Sequence, residues 1–241
     1  MRTLFTLLLL FSTSASAVTF SSPEEQVPTI ELFTSQGCSS CPPADRWLSR
    51  LVDHPDLWKR FVPLAFHVDY WDYIGWKDPF AHPNHSLRQQ HYKKAGNIRS
   101  VYTPGFVLAG KEWRGFFYRQ KPTFQLGPKV GRLSIDWNQD NSINAHFEPT
   151  IMDLPQKLEL HLAILGFDFN TPVGRGENSG KSLREDFVVL GWNRHPVELS
   201  KGRWQVPKPR VGDERPKRRA VVAWITKKNS PVPLQAVGGW L

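Results

Sequence analysis

Cysteine and methionine are scarce in this chain of 241 residues, which contains only two of each. Two cysteines cannot supply a second CxxC pair, so a closed four-cysteine zinc site is excluded. After the N-terminal segment no apolar run is long enough to span a bilayer, so we predict no membrane span in the mature chain. What is present is a globular composition, with 40% hydrophobic and 22% charged residues. This balance excludes a chain that is disordered throughout.

Acidic residues are outnumbered by basic ones, 22 against 31, which gives a formal net charge of +9. A basic surface favours nucleic acid or anionic lipid as a partner. Here the charge is spread along the chain, and its densest stretch, residues 201–219, also contains three prolines and a tryptophan. Such a stretch is typical of a solvated loop between strands, so we predict no nucleic-acid partner.

The first 17 residues have the three parts of a secretory signal. Arg2 supplies a positive charge, residues 4–11 form a short apolar core, and residues 15–17 (Ala-Ser-Ala) form a small-residue cleavage site. An uncleaved anchor is the alternative, but the apolar core is too short for a stop-transfer helix. We therefore expect the mature protein to begin near Val18 and to be periplasmic or secreted.

The two cysteines form one CxxC motif, Cys38-Ser39-Ser40-Cys41. A structural disulfide is one hypothesis, since exported chains often pair their cysteines, although closing four residues stabilises a fold by only about 2 kcal/mol. Metal binding is a second, but the histidines have no ligand spacing near the motif. The third is a redox dithiol. We predict no metal ligands and no bound organic cofactor.

The local sequence around the motif favours the redox dithiol. An apolar, β-branched strand is predicted over residues 27–33, and Pro42-Pro43 is typical of a first helical turn. Cys38 would then lie just before a helix N-terminus, where the helix dipole favours a thiolate. A thiolate is the attacking group in thiol–disulfide exchange, and Cys41 would resolve the mixed disulfide.

Further elements follow in a recognisable order. A strand is predicted over residues 61–68, and an aromatic loop over 69–80 leads to a helix over 86–95. Thr103-Pro104 then precedes a strand over 105–109. This order resembles a thioredoxin fold, and the resemblance implies that Thr103-Pro104 is a cis pair beside Cys38.

Four segments are similar to a more specific family, the exported bacterial domain of unknown function 1223, placed in the thioredoxin-like superfamily. The segments are ELFTSQGCSSCPPAD (31–45), LAFHVDYWDYIGWKDPF (64–80), SVYTPGFVLAG (100–110) and GRGENSGKSL (174–183). This resemblance implies a fold but no settled substrate or reaction. The dipeptide between the cysteines, Ser39-Ser40, does not predict the direction of electron flow.

Substrate-binding residues are predicted around the motif. In the implied fold Thr103 and Pro104 shape the groove, and His67, Asp69 and Trp71 follow a strand beside that of Cys38. A buried aspartate there could accept a proton. The alternative is that the aromatic residues of the loop cover a core and its aspartates cap turns.

The second half of the chain changes pattern near Gly127. Short strands are predicted between turns, and residues 158–162 alternate with period two, which suggests a β-sandwich. The glycine-rich segment, residues 174–182, fails the spacing of a phosphate-binding loop because Arg175 stands where the first glycine is required. We interpret it as a connection that packs on the first half.

These observations predict an α+β fold class, with a thioredoxin-like α/β domain followed by a β-sandwich-like all-β domain. The predicted divisions are a signal peptide (1–17), the CxxC domain (18–126) and the β domain (127–241). The leading function is an exported thiol–disulfide oxidoreductase acting on protein thiols or disulfides of the cell envelope. A non-catalytic envelope-binding module with a structural disulfide, or a dithiol metal-binding protein, is the alternative.

Overall fold

The computed structural model describes residues 17–212 and 216–241. The predicted signal segment therefore lies outside the described residues, apart from Ala17. Within the described part of the chain, no helix combines the length and the apolar composition needed to cross a membrane.

The described residues form fourteen β-strands and two α-helices. The helices are α1 (Pro42–Ser49) and α2 (Pro83–Lys94). The strands are β1 (Val18–Ser21), β2 (Thr29–Thr34), β3 (Val62–His67), β4 (Gly105–Leu108), β5 (Lys111–Glu112), β6 (Gly131–Trp137), β7 (Ser142–Pro149), β8 (Lys157–Phe167), β9 (Phe169–Pro172), β10 (Ser182–Glu185), β11 (Val188–Glu198), β12 (Arg203–Pro207), β13 (Arg218–Lys227) and β14 (Pro233–Trp240).

Most strands belong to two larger sheets. One sheet has eight strands in the order β14-β13-β8-β11-β3-β2-β4-β5, and the other has four in the order β1-β6-β7-β12. β9 and β10 form a separate antiparallel hairpin. In the eight-stranded sheet β3 pairs in parallel with β2 and with β11, while the remaining pairs are antiparallel.

The predicted fold class, a thioredoxin-like α/β domain followed by a β-sandwich, is wrong. The described chain is mostly β-structure with only two α-helices, and its large mixed sheet contains strands from both halves. The two halves are joined in this sheet by the pairing of β11 with β3, in which Val188 lies opposite Ala65. The four-stranded sheet also mixes the halves, because β1 pairs with β6. The boundary at residues 126 and 127 stays a prediction.

Two apolar cores explain why the long strands are hydrophobic on both faces. On β8, Leu158, Leu160 and Leu162 pack toward the four-stranded sheet, whereas Leu165 and Phe167 join the core beneath the helices. Each fully buried side chain of this kind contributes about 1.5–3 kcal/mol relative to an exposed one. A strand buried on both faces gives little alternation, and on β8 the period-two pattern is confined to residues 158–162. Patterning alone could therefore not place these strands in one sheet.

The parallel strands β2 and β3 position the candidate site. Both are buried along their whole length and end at the same edge of the sheet, at Thr34 and His67. Loops that follow neighbouring parallel strands meet at that edge. The residues that follow β2 and β3, the cysteine loop (35–41) and the aromatic loop (69–80), therefore lie side by side.

Candidate functional site

Cys38 and Cys41 form a disulfide in the cysteine loop, with their Cα atoms 5.4 Å apart. The Cys41 backbone N–H donates to the Cys38 carbonyl over 3.2 Å, and Cys41 is the N-cap of α1. Pro42 and Pro43 occupy the first helical turn, where a missing N–H costs nothing. The predicted placement of the motif before a helix is therefore confirmed.

The disulfide lies beneath a polar rim. Cys38 is 1% exposed and Cys41 is 0% exposed, whereas Ser39 and Ser40 between them are exposed. The Ser40 hydroxyl lies 3.3 Å from Cys38 Sγ. The motif thus reaches solvent through its two serines, and its sulfur atoms are covered in this oxidised state.

Trp71 of the aromatic loop contacts both the cysteine loop and the Thr103-Pro104 pair. Its ring Nε1 donates to the Thr103 hydroxyl over 2.7 Å. A Cβ at Gly37 would lie 3.0 Å from the Trp71 Cβ, so this close packing favours glycine next to Cys38. The Thr103-Pro104 peptide bond is cis. Trp71 therefore links Thr103 to the cysteine loop at Gly37.

Asp69 is hydrogen-bonded to α2. Its carboxylate accepts a hydrogen bond from the Ser86 hydroxyl, and its backbone N–H donates to the Ser86 hydroxyl oxygen over 3.3 Å. Ser86 lies in α2, so Asp69 ties the aromatic loop to that helix. The hydrogen bonds of Asp69 within residues 17–212 and 216–241 do not reach the cysteine loop, and its substrate-binding role stays a prediction.

Below the cysteine loop lies a buried polar cluster centred on Gln36. The Gln36 backbone N–H donates to Asp78 Oδ2 over 2.8 Å, and its side-chain amide donates to Glu185 Oε2 over 2.7 Å. The Trp76 indole N–H donates to Gln36 Oε1 over 2.9 Å. His67 Nδ1 lies 2.7 Å from Asp78 Oδ2 as a buried ion pair. His67, Asp78 and Glu185 are called the acid–histidine cluster below.

Burial and charge set the protonation of this cluster. Burial opposes a charge on His67, but the Asp78 carboxylate outweighs it and raises the pKa of His67 to about 9. Burial would raise the pKa of Asp78, yet His67 holds that pKa below its usual 3.8. Burial raises the pKa of Glu185 to about 8. At neutral pH the cluster therefore consists of a charged pair beside a protonated carboxyl group.

A second buried acid lies in α1 itself. Burial raises the pKa of Asp45 to about 6, while the charge of His67 and a hydrogen bond from Thr34 oppose the shift. That hydrogen bond joins Thr34 Oγ1 to Asp45 Oδ1 over 2.7 Å. Asp45 therefore changes protonation close to neutral pH, one helical turn after Cys41.

The glycine-rich segment packs on the cysteine loop from the other side. Asn178 is fully buried, and its side-chain amide donates to the carbonyls of Gln36 and Cys38, each over 2.9 Å. The Glu177 carboxylate accepts the Ser39 backbone N–H over 3.0 Å. Lys181 Nζ donates to Asn178 Oδ1 over 2.8 Å. The segment thus fixes the cysteine loop.

Sequence reasoning missed the residues that the second half contributes to the site, which are Glu177, Asn178 and Glu185. Asn178 and Cys38 are 140 positions apart in sequence, and Glu185 and Gln36 are 149 apart. The sequence signal for these residues was the glycine-rich segment, which is one of the four segments similar to the family. Among residues 17–212 and 216–241, no group of three or more His, Cys, Asp or Glu residues could hold a metal ion.

The fold and the site define a class: a mixed-sheet protein with one CxxC disulfide at a helix start, above a buried acid–histidine cluster. Comparison with family models gives the particular family. Residues 29–226 match the model described as protein of unknown function (DUF1223), and the chain belongs to that family. The match does not confirm the thioredoxin-like superfamily.

Solved structures with a similar fold come from two bacteria. A protein from Agrobacterium tumefaciens, solved by X-ray crystallography as a structural-genomics target, is 25% identical, with a TM-score of 0.55 over 90% of this chain and 95% of that one. HBP35 of Porphyromonas gingivalis is 12% identical, with a TM-score of 0.57 over 91% of this chain and 76% of that one, which shows likeness of fold alone. The comparison with curated proteins returned no match.

Proposed function

We propose that this protein is an exported thiol–disulfide oxidoreductase of the periplasm or the extracellular space. Cys38 is its attacking cysteine and Cys41 its resolving cysteine. The observation that carries the proposal is the disulfide between them at the start of α1, directly above a buried cluster of titratable groups. Perturbed acids and bases beside a reactive pair are characteristic of sites that transfer protons.

The chemistry proceeds in two exchanges. In the reduced protein the Cys38 thiolate attacks a partner disulfide; a Cys38–partner S–S bond forms, the partner's own S–S bond breaks, and the released sulfur takes a proton. Cys41 then loses its proton and attacks Cys38 Sγ, which restores the internal disulfide and releases the second partner sulfur to be protonated. The partner gains two electrons and two protons, and the dithiol loses them. The same steps in reverse oxidise a partner dithiol.

Access to Cys38 requires a local movement, because the cysteine is covered in the oxidised state. Its neighbours Ser39 and Ser40 are exposed, and the cover consists of loops rather than sheet strands. Loops of this kind open at lower free energy than the core of a fold. Opening of the cysteine loop is therefore the step that precedes attack by a partner thiolate.

Trapping of a partner tests this function. A Cys41→Ala variant, expressed in a bacterial host that exports it, retains the attacking sulfur but lacks the resolving one. We expect mixed disulfides with envelope proteins, visible as bands that disappear on reduction, and Cys38→Ala as the matched control gives none. Recovery of no mixed disulfide under oxidising and reducing growth conditions alike would count against exchange chemistry.

One observation favours a second candidate function, an envelope-binding module with a structural disulfide. Both cysteines are buried, and buried cysteines are usually inert. In that case the aromatic loop is the binding surface, since Tyr73 at its tip is 82% exposed. A disulfide that resists dithiothreitol until the fold is unfolded by denaturant distinguishes this candidate from the oxidoreductase.

A further inference from the structure

The direction in which the disulfide favours electron flow is not set by the dipeptide between its cysteines. The structure adds a charged group to the same loop from the other half of the chain. The carboxylate of Glu177 accepts the Ser39 backbone N–H over 3.0 Å, and Ser39 directly follows Cys38. A negative charge is therefore fixed at the residue that follows Cys38, whose sulfur would carry the thiolate.

The charge on Glu177 has no ion-pair partner among residues 17–212 and 216–241. Lys181, the cation in the same segment, directs its Nζ to Asn178 Oδ1 instead. Hydrogen bonding from the side chain and the backbone of Ser39 holds the pKa of Glu177 below its usual 4.5. The carboxylate is thus ionised at the pH of the cell envelope.

Asn178, the residue after Glu177, anchors this segment to the cysteine loop. Its side-chain amide donates to the carbonyls of Gln36 and Cys38, and the residue is 0% exposed. The other ionisable groups around the loop are of two kinds. Asp45 in α1 and the acid–histidine cluster are buried, whereas Arg46 and Lys181 are exposed and line one surface pocket with Ser39. Glu177 is the acidic group on the solvent side, and its charge can be removed without disturbing the core.

We propose that Glu177 is a positioning residue that biases the Cys38–Cys41 pair toward its disulfide form, so that the dithiol acts as a reductant. This inference rests on the proposed exchange function. The physical reason is that like charges repel, so the carboxylate raises the free energy of the Cys38 thiolate. A dithiol whose reduced form is stabilised has a high reduction potential and acts as an oxidant. A dithiol whose reduced form is destabilised therefore has a lower reduction potential and acts as a reductant.

The test is a charge-only substitution, Glu177→Gln, in the full mature chain. Glutamine keeps an oxygen that can accept the Ser39 N–H and lacks the charge. Two quantities are measured: the pKa of the Cys38 thiol, from thiolate absorbance of the reduced protein, and the equilibrium constant with dithiothreitol between pH 7 and 9. We expect the pKa to fall by about half a unit and the constant to shift about threefold toward the dithiol at pH 9, or about 14 mV at 29.6 mV per tenfold.

Two further variants fix the cause of that shift. Glu148→Gln, which removes a charge from the four-stranded sheet, is the matched control and should leave both quantities unchanged. Asn178→Ala releases the carboxylate from its position and should shift both in the same direction as Glu177→Gln. The shift should also shrink at 1 M salt, because exposed charges are screened there.

The outcomes separate the inference from the function on which it rests. Normal exchange with an unchanged thiol pKa and equilibrium constant in Glu177→Gln overturns the inference and leaves the oxidoreductase intact. A shift in the opposite direction overturns it as well. A disulfide that neither the parent nor the variant exchanges with dithiothreitol contradicts the proposed function, and the inference fails with it.

Discussion

Two buried ion pairs within the described residues differ in how completely they are satisfied. Arg88 of α2 makes two bonds to Glu31 of β2, Nε to Oε2 over 2.6 Å and Nη2 to Oε1 over 2.7 Å, and the Tyr92 hydroxyl donates to the same carboxylate over 2.7 Å. The guanidinium also lies within 5.5 Å of the ring centroids of four aromatic residues. These are Phe66, Tyr92, Trp192 and Trp224.

The pair beside the disulfide is incomplete. His67 binds Asp78 through Nδ1, but His67 Nε2 and the neighbouring Glu185 Oε1 are buried with no hydrogen-bond partner. Buried polar atoms are nearly always satisfied, so each such orphan calls for an explanation. The Arg88–Glu31 pair therefore stabilises the fold. The acid–histidine cluster, in contrast, has unpaired buried atoms beneath the cysteine loop that can gain or lose a proton.

Breaking the complete pair should give the largest effect on stability. Arg88→Met leaves the Glu31 carboxylate buried without its cation, which destabilises a fold by about 3–5 kcal/mol. Denaturant unfolding monitored by tryptophan fluorescence measures the loss. Arg88→Met combined with Glu31→Leu is the control, and it should recover most of the stability because both charges are gone. A loss below about 1 kcal/mol for Arg88→Met would contradict the structural role of the pair.

The acid–histidine cluster should instead make the free energy of unfolding depend on pH. The folded-state pKa of Glu185 is raised from 4.5 to about 8, so its contribution to stability is fully present below pH 4.5 and is lost as pH rises to about 8. The raised pKa of His67, about 9, adds stability below pH 6.5 that is lost as pH rises through 9. Stability should therefore fall by several kcal/mol between pH 5 and 8.

Glu185→Gln sharpens this test, since its amide oxygen can still accept from Gln36 and it does not ionise. The free energy of unfolding, measured at pH 5 and pH 8, should change less between the two pH values than in the parent chain. Glu31 is unsuitable as a control because it belongs to the Arg88–Glu31 pair. Glu24→Gln at the surface is the control, and it should retain the pH dependence of the parent chain. An equal fall in parent and Glu185→Gln would show that Glu185 does not titrate in this range.

The smallest expected effect lies in the cover of the disulfide. Trp71→Phe removes the hydrogen bond to the Thr103 hydroxyl and should destabilise the fold by about 1 kcal/mol. It should also loosen the aromatic loop over Gly37 and so speed reduction of the disulfide by dithiothreitol. Thr103→Val removes the same hydrogen bond from the other side and is the matched variant. Unchanged reduction rates in both variants would mean that Trp71 does not limit access.

The sequence was informative where chemistry is local. A strand, two cysteines and Pro42-Pro43 follow one another within 15 residues, and the structure has β2, the disulfide and α1 in that order. The helix expected over residues 86–95 begins earlier, at Pro83, because His82 accepts the Asn84 N–H as its cap. His85 in that first turn is buried, and its Nδ1 lies 2.9 Å from the His67 carbonyl oxygen.

Long-range pairing was not predictable from one sequence. The parallel pairing of β11 with β3 merges the two halves into one sheet. No local pattern predicts this pairing, because β3 and the start of β11, where they pair, are buried apolar segments without alternation. The same pairing brings Glu185, just before β11, under the cysteine loop. The sequence therefore predicted the part of the candidate site that lies in the first half of the chain. The residues from the second half reach the site through the same long-range contacts that made the predicted fold class wrong.

The redox equilibrium of the Cys38–Cys41 disulfide in the folded protein tests the central claim most directly. The folded protein is equilibrated with glutathione buffers of increasing reduced fraction, and the free thiols are counted after alkylation by mass spectrometry. The account predicts a reversible two-electron titration at a reduction potential above about −300 mV, since more negative values are typical of structural disulfides. A disulfide that stays fully oxidised in every buffer while the protein remains folded would contradict it.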